Sequence, residues 1–232
     1  QNDGKIIIAQ NQVVLGGTVK RLYRINTDGT LDNTFDVGIG FDDTPNVIKI
    51  QSDGKILVGG DFITLNGITK NRIVRLNSNG SIDTSFDAGL GFNSSVNSIE
   101  IQSDGKILVG GNFNTFNGFS KTGLVRLNSN GSIDNYFYIG VGPSGTVDCI
   151  YIQNDGKIII GGTFGMFNNI TSPNLVRLSS SGNLDNTFNI GTGFTQTNSS
   201  TNGSPKVKAI IISGNSIFIG GHFDKFNNIL RK

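Results

Sequence analysis

Short apolar runs recur along the chain, each broken within a few residues by Gly, Asn, Asp or Ser, and none follows a helical period. The pattern predicts strands. Val96 to Gln102 (VNSIEIQ) alternates and is rich in Ile, and the Ser-Asp-Gly after it supplies a hairpin loop in which Gly takes the positive φ. Lys106 to Gly111 (KILVGG) is apolar for several residues in succession, as befits a strand covered on both faces. A loop carrying Asn117-Gly118 leads to a third strand, Gly123 to Leu127, and another Asn-Gly hairpin leads to a fourth, Ser132 to Phe137. A Gly-x-Gly segment (Gly140 and Gly142) then passes to the next stretch of chain.

This order repeats. QSDGKILVGG at Gln51 recurs at Gln102, as QNDGKIIIGG from Gln153, as QNDGKIIIAQ from Gln1, and as SGNSIFIGG from Ser213 with its turn one residue shorter. A second block follows in the same phase: RINTDGTLDNTF from Arg24, RLNSNGSIDTSF from Arg75, RLNSNGSIDNYF from Arg126 and RLSSSGNLDNTF from Arg177. The period is about fifty residues. A four-stranded antiparallel sheet of this size cannot bury both faces alone, so neighbouring copies must stack on it. Radial stacking leaves only short, protected edges. A β-solenoid is the competing arrangement, but its rungs pair in parallel, whereas Asp-Gly and Asn-Gly hairpins demand antiparallel neighbours. The sequence therefore predicts an all-β fold, a β-propeller of four-stranded antiparallel blades. About four to five blades are visible in one unit over residues 1–232, with repeats at approximately 1–45, 46–95, 96–146, 147–206 and 207–232. By this phasing the chain holds strands two to four of one blade, three full blades, and strands one and two of another. That phasing leaves a redundant second strand, so the unit is expected to be part of a larger or incomplete ring, with further blades from the same or another chain.

The string DGKILVGG-x-F, then N-G, V-R-L-N-x-x-G-S-x-D-x-x-F and G-x-G, resembles the delta-60 repeat family of bacterial propeller-like repeats across essentially the whole chain. The likeness is loosest at Ala9-Gln10, where the Gly-Gly pair is replaced. The resemblance implies large secreted or surface-exposed bacterial proteins, a scaffold role, and no catalytic motif to transfer.

Composition narrows the classes further. Among 232 residues there are 33 Gly, 16 Phe and no Trp, so Phe, Ile, Leu and Val must supply the core. A net charge of +2 with 16% charged residues gives no basic stripe for nucleic acid, and no apolar stretch reaches the length of a membrane span. A neutral surface of Asn, Ser and Thr is common on secreted proteins. The single cysteine, Cys149, forms no internal disulfide. The chain shows no signal-peptide pattern and begins inside a repeat, as a mature form or an excerpt would.

Candidate chemistry is sparse. Arg24, Arg75, Arg126 and Arg177 recur with Asp32, Asp83, Asp134 and Asp185, each Arg directly across a hairpin from its Asp. Four identical pairs point to blade architecture, since a catalytic pair is normally unique. The Asn/Asp-rich loops (Asn77 to Gly80, then Asp83) lack the ligand spacing and terminal Glu of a calcium loop. The Gly-x-Gly elements open no helix, as a nucleotide loop requires. His222 stands alone, and Cys149 occupies a small first-strand slot shared with Val47, Ser98 and Ala209, so no nucleophile and base are assembled. No catalytic residue, metal site or cofactor is expected.

Slots that vary while their neighbours hold steady are the better binding candidates: Lys49, Glu100, Tyr151 and Ile211 in one, Asp61, Asn112, Thr163 and His222 in another. The loop Phe194 to Lys206, longer than its equivalents, is either a third candidate or a solvated connector. The expected function is a non-catalytic scaffold of an extracellular or cell-surface bacterial protein, binding another protein or a cell-surface glycan in adhesion or protein–protein contact. Alternatives are a lectin-like propeller with one sugar site per blade, which repeated exposed aromatics would favour, or a phage virion tail or fibre component. The repeated Phe residues (Phe35, Phe86, Phe188, Phe62, Phe113, Phe164 and Phe223) read as core instead.

Overall fold

The computed structural model describes residues 1–15, 18–196 and 204–230, with side chains described for all of these except 12–15 and 18–20. The described residues hold no helix. The first repeat contributes a hairpin of β1 (Ile6–Leu15) and β2 (Thr18–Ile25). The second contributes β3 (Pro45–Ile50), β4 (Ile56–Gly60), β5 (Thr64–Leu65), β6 (Ile68–Thr69) and β7 (Ile73–Leu76). The third repeats this order as β8 (Val96–Ile101), β9 (Ile107–Gly111), β10 (Thr115–Phe116), β11 (Phe119–Ser120) and β12 (Leu124–Leu127). The fourth runs β13 (Thr146–Ile152), β14 (Ile158–Thr163), β15 (Met166–Phe167), β16 (Ile170–Thr171) and β17 (Leu175–Leu178). β18 (Phe194–Thr195) ends the fourth, and the fifth holds β19 (Lys206–Ser213), β20 (Ser216–His222), β21 (Lys225–Phe226) and β22 (Ile229–Leu230).

Each central blade is antiparallel, with its second strand in the middle: β3-β4-β7, β8-β9-β12 and β13-β14-β17. The fourth strand is shorter than the pattern predicts. Its pairing is a single bridge, as from Leu76 to Ile82 and from Leu127 to Ile133. The next residue explains the break. Asp83 Oδ1 accepts from its own Ser85 N (3.0 Å), so the side chain turns the chain away from the ladder. The Asn-Gly loops, in contrast, hold more structure than expected. Asn66 and Gly67 both take positive φ (54° and 74°), the signature of a type I′ turn, and close the hairpin β5-β6. That hairpin pairs further with the Gly-x-Gly segment through a Phe41–Leu65 bridge. Where Gly-Gly gives way to Ala9-Gln10 in the first repeat, β1 instead continues into a long hairpin with β2.

The core lies between repeats. One cluster joins Leu57, Ile73, Phe86 and Phe92 of the second repeat to Val96, Ile99 and Phe113 of the third. Another joins Leu108, Leu124 and Phe137 to Val147, Ile150 and Phe164. First strands of neighbouring repeats lie against each other: β3 against β8, β8 against β13, and β13 against β19. The Gly-Gly pair makes this approach possible. A Cβ on Gly59 would sit 2.4 Å from Val96 Cγ1, and one on Gly60 would sit 2.2 Å from the Thr44 carbonyl oxygen. Every first strand also carries a register shift opposite this pair, as between Pro45 and Val47 or Val96 and Ser98. Such a bulge re-aims one side chain. Here the bulged Asn46 and Asn97 donate to the Val96 and Val147 carbonyls of the next blade (3.4 and 3.5 Å).

Candidate functional site

The recurring Arg and Asp form one network per repeat. Arg75 Nε donates to Asp83 Oδ2 (2.7 Å), and Lys55 Nζ reaches the same oxygen (3.0 Å). The other carboxylate oxygen accepts from Ser85 N and Oγ (3.0 and 2.7 Å). The remaining guanidinium faces are used too: Nη1 donates to the Ser129 carbonyl of the next blade (2.5 Å), and the plane lies over Phe86, 5.0 Å from its centroid. Arg24 and Arg126 repeat the pattern with Asp32 and Asp134 (2.7 Å each), and with the Ser78 and Ser180 carbonyls (2.7 and 2.6 Å). Arg177 pairs with Asp185 at 2.9 Å.

These partners hold the carboxyls well below the usual range. For Asp32 the largest cause is the hydrogen bond from Lys5, and for Asp185 it is that from Thr187. At Asp83 and Asp134 burial pushes upward first. It is outweighed by hydrogen bonds, from Ser85 and Lys55 at Asp83 and from Tyr136 N and Lys106 at Asp134. Fully ionised, fully bonded carboxylates are anchors; they hold no proton to give.

The two variable slots are not brought into one site. Lys49 lies opposite Leu57, near the Asp-Gly turn, while Asp61 follows β4 at the other end of the sheet. Lys49 and Glu100 are joined to each other (Nζ to Oε2, 2.5 Å), so these charges pair blade to blade. Tyr151 packs into the last core cluster, while Ile211 in the same slot is exposed. Asn112 Oδ1 accepts from Thr146 Oγ1 (2.8 Å), and Thr163 Oγ1 donates to Asp148 (3.2 Å), which Lys208 also reaches (2.9 Å). Asp61 makes a backbone bond to Thr44, and exposed His222 pairs with Lys206 across β19-β20. In the long loop, β18 pairs with β21, and residues 197–203 lie outside the described residues. Cys149 is half-buried. Burial and the adjacent Asp148 charge push its thiol up to about 12. Among the described residues no three His, Cys, Asp or Glu side chains converge to hold a metal.

A feature the sequence reading passed over lies at the opposite end of the blades from the Asp-Gly turns. Asn66 Oδ1 accepts from Gly40 N (2.9 Å), and a Cβ on Gly38 would sit 2.7 Å from that oxygen. The Asn side chain thus clamps the Gly-x-Gly segment and turns its middle residue outward. Asn117 and Asn168 make the equivalent clamps on Leu90 N and Gly142 N (3.0 and 2.9 Å). The residues held out are apolar: Ile39 is 82% exposed, Leu90 69% and Val141 66%. Beside them, at the tips of the paired hairpins, Ile68, Phe119, Ile170 and Ile229 are exposed as well. In the third repeat a cleft of about 300 Å³ opens next to this rim between Lys121, Phe137, Tyr138 and Val141. A larger cavity of about 560 Å³ lies on the other face between Asp3, Asp53 and Asn79, where Arg24 and Ser78 are already bonded to each other. The signal for the rim was present in the sequence as the apolar residue inside the first three Gly-x-Gly segments, the fourth holding Thr192. It was masked by reading the glycines as connectors.

Comparison with known proteins agrees with the repeat. Residues 1–35, 51–86, 102–137 and 153–188 each match the family model described as "Domain of unknown function (DUF5122) beta-propeller". No curated protein matches the chain. Among solved structures, the extracellular domain of a proposed one-component system of B. thetaiotaomicron is similar at 18% identity over 93% of this chain and 25% of that one, with a TM-score of 0.46. A proposed gluconolactonase is similar at 14% identity over 70% of this chain and 54% of that one, with a TM-score of 0.37. A protein of unknown function from Bacteroides caccae is similar at 16% over 78% and 66%, with a TM-score of 0.31. The chain thus spans a quarter and about half of the length of the first two.

Proposed function

The chain belongs to the DUF5122 β-propeller family, and from that premise we propose that it is a non-catalytic scaffold which binds a protein partner through the apolar rim. One observation carries this reading: in successive repeats an Asn side chain and two glycines hold a bare aliphatic residue, Ile39, Leu90 or Val141, in solvent. Loops on a rigid frame are where interaction proteins place their contacts, and contiguous exposed apolar groups rimmed by polar ones are the usual mark of a partner surface. The resemblance of its repeats to the delta-60 type supports an extracellular or cell-surface location and an adhesive role. The non-catalytic reading is supported by the pairing of each recurring Arg with its Asp in a structural ion pair. A per-blade sugar site draws no support: Tyr136, Tyr138 and Phe119 are exposed in the third repeat, but their slots hold Ser85, Asp87 and Ile68 in the second.

The test places a photo-crosslinking amino acid at Leu90 or Phe119 and, for comparison, at Asp104 or Asn130 on the turn face, in protein exposed to cells of the source organism. Discrete protein adducts at the rim positions and none at the turn positions are expected. Adducts of equal yield on both faces, or none on either, would sink the reading. A parallel glycan array with reproducible hits would favour the lectin alternative.

A further inference from the structure

Three of the four Arg–Asp networks are closed by a hydroxyl, and the one in the third repeat is not. Thr34 Oγ1, Ser85 Oγ and Thr187 Oγ1 each donate to the fourth-strand Asp Oδ1 (2.6, 2.7 and 2.6 Å). Each also accepts from the paired Arg Nη2 (3.3, 3.1 and 3.3 Å). The third repeat has Tyr136 in this slot. The Tyr136 amide still donates to Asp134 Oδ1 (3.0 Å), but that oxygen accepts one bond where its counterparts accept two. Among the described residues Arg126 Nη2 has no acceptor, while Nε and Nη1 keep theirs. Both side chains are more than nine-tenths buried, with Arg126 7% and Asp134 2% exposed. The slot itself is exposed in all four repeats, so this corner of the network lies at the surface.

The same stretch gives up a second local bond. Asp36, Asp87 and Asn189 turn their side chains back onto Gly38, Gly89 and Gly191 N (2.9, 2.8 and 2.8 Å), whereas this slot in the third repeat is Tyr138. Tyr136 and Tyr138 alternate with the buried Phe137 and Ile139, so their rings stand in solvent, 87% and 74% exposed. The chain also sits differently against the next blade. A Cβ on Gly80 or Gly131 would meet the Asp36 or Asp87 carbonyl oxygen at 2.7 or 2.6 Å, whereas one on Gly182 would meet the Phe137 ring at 2.9 Å. The cleft of about 300 Å³ opens along this stretch, lined by Asp134 and Tyr138 together with Lys121 and Val141.

We infer that the third repeat carries a single saccharide-binding site, in which a sugar hydroxyl takes the role that Ser or Thr plays in the other repeats, donating to Asp134 Oδ1 and accepting from Arg126 Nη2. The Arg126–Asp134 pair is held at 2.7 Å, as in the repeats where a hydroxyl bridges it. A pyranose presents hydroxyls around its edge and C–H groups on its face. The edge suits a fixed carboxylate and guanidinium, and the face packs on an exposed tyrosine ring. Lys121 supplies a further donor from the cleft wall. The cleft lies at the lower end of small-ligand sites, about 300–1,000 Å³. A Ser or Thr side chain of a partner protein offers one hydroxyl and no flat C–H face, so it would use the corner but not the two rings. The site is one per chain, because the paired slots hold Thr34 and Asp36, Ser85 and Asp87, and Thr187 and Asn189 in the other repeats. It goes beyond the reading of the apolar rim and does not rest on it.

The test applies the fluorescently labelled 232-residue protein to an array of neutral and uronic-acid oligosaccharides and follows the hits by calorimetric titration. Hits that share one saccharide unit and bind one to one are expected. Tyr136→Thr writes the first and fourth repeats' residue into the third, so the protein's own hydroxyl takes the corner. The fold is kept, and affinity should fall about tenfold or more with the loss of bonds to two charged groups. Tyr138→Ala changes an exposed ring and should weaken binding about three- to tenfold with an unchanged melting temperature. Ser85→Ala alters the same corner of the second repeat and should leave affinity unchanged. An array without reproducible hits, equal affinity of Tyr136→Thr, or several sugars bound per chain would overturn the inference. None of these results bears on the crosslinking test of the rim, so the two readings fail separately.

Discussion

Backbone strain at single residues follows the repeat more faithfully than side-chain chemistry does. The slot that opens the third strand takes positive φ in all three central blades, and it holds Arg72 (75°), Gly123 (68°) and Asn174 (68°). Gly is at ease there and Asn is tolerated, but a long side chain carries roughly 1–2 kcal/mol of left-handed strain. Arg72→Gly should therefore raise stability by about 0.5–1 kcal/mol once the extra chain entropy of Gly is deducted. A chemical-denaturation midpoint that fell instead would show that the Arg72 side chain earns its place by a contact. Cys149 makes the opposite point about reactivity. Its half-buried thiol contacts the Val207 carbonyl at 3.7 Å and is pushed up to about 12, so almost no thiolate exists at neutral pH. A thiol reagent at pH 8 should label the native protein far more slowly than the urea-unfolded chain; equal rates would mean that the first strand opens readily.

At the scale of the element, the hairpins read from the sequence are those observed, because Asp-Gly and Asn-Gly carry their turn geometry locally. The features that were not legible depend on what comes next in space. The bulge opposite each Gly-Gly pair is invisible in a run such as Val96 to Gln102, because the alternation looks unbroken until Asn97 turns to the neighbouring blade. The fourth strand shrank to one bridge because the Asp83 side chain captures Ser85 N, a competition that alternation alone does not reveal. The variable slots depend on neighbours in the same way. Lys49 and Glu100 differ between copies because they answer each other across blades. The Arg–Asp pairing, in contrast, followed directly from counting residues around the hairpin loop. Its geometry uses the whole guanidinium fork, so Arg75→Lys should fail as a conservative change: a lysine reaches Asp83 or Ser129 but not both. A loss of about 2 kcal/mol is expected from the lost charge-assisted bonds. Arg75→Lys with an unchanged melting temperature would mean that the Lys55–Asp83 pair alone anchors the hairpin.

For the whole molecule, the repeated networks bind blade to blade as well as strand to strand. The carboxylate that holds Arg75 holds the same guanidinium that grips the next blade's turn through Ser129. Protonating these carboxylates should therefore loosen the stack as a whole. The sign follows from linkage. Asp32, Asp83, Asp134 and Asp185 all sit below their ordinary values in the folded chain, so the unfolded chain binds protons first as the pH falls. Their contribution is complete above the unfolded carboxyl range, near pH 4, and drains away on further acidification toward the lower folded values. Urea midpoints should be flat between about pH 5.5 and 8 and then drop steeply below about pH 4. An Asp83→Asn variant should start less stable at neutral pH and lose less on acidification, because one of the titrating anchors is already neutral. Single-blade unfolding would make the acid transition broad, whereas loosening through shared guanidinium links makes it one transition seen alike by far-ultraviolet dichroism and by tyrosine fluorescence. Midpoints at pH 3 equal to those at pH 7 would show that apolar stacking between blades carries the fold without its ionic clasps.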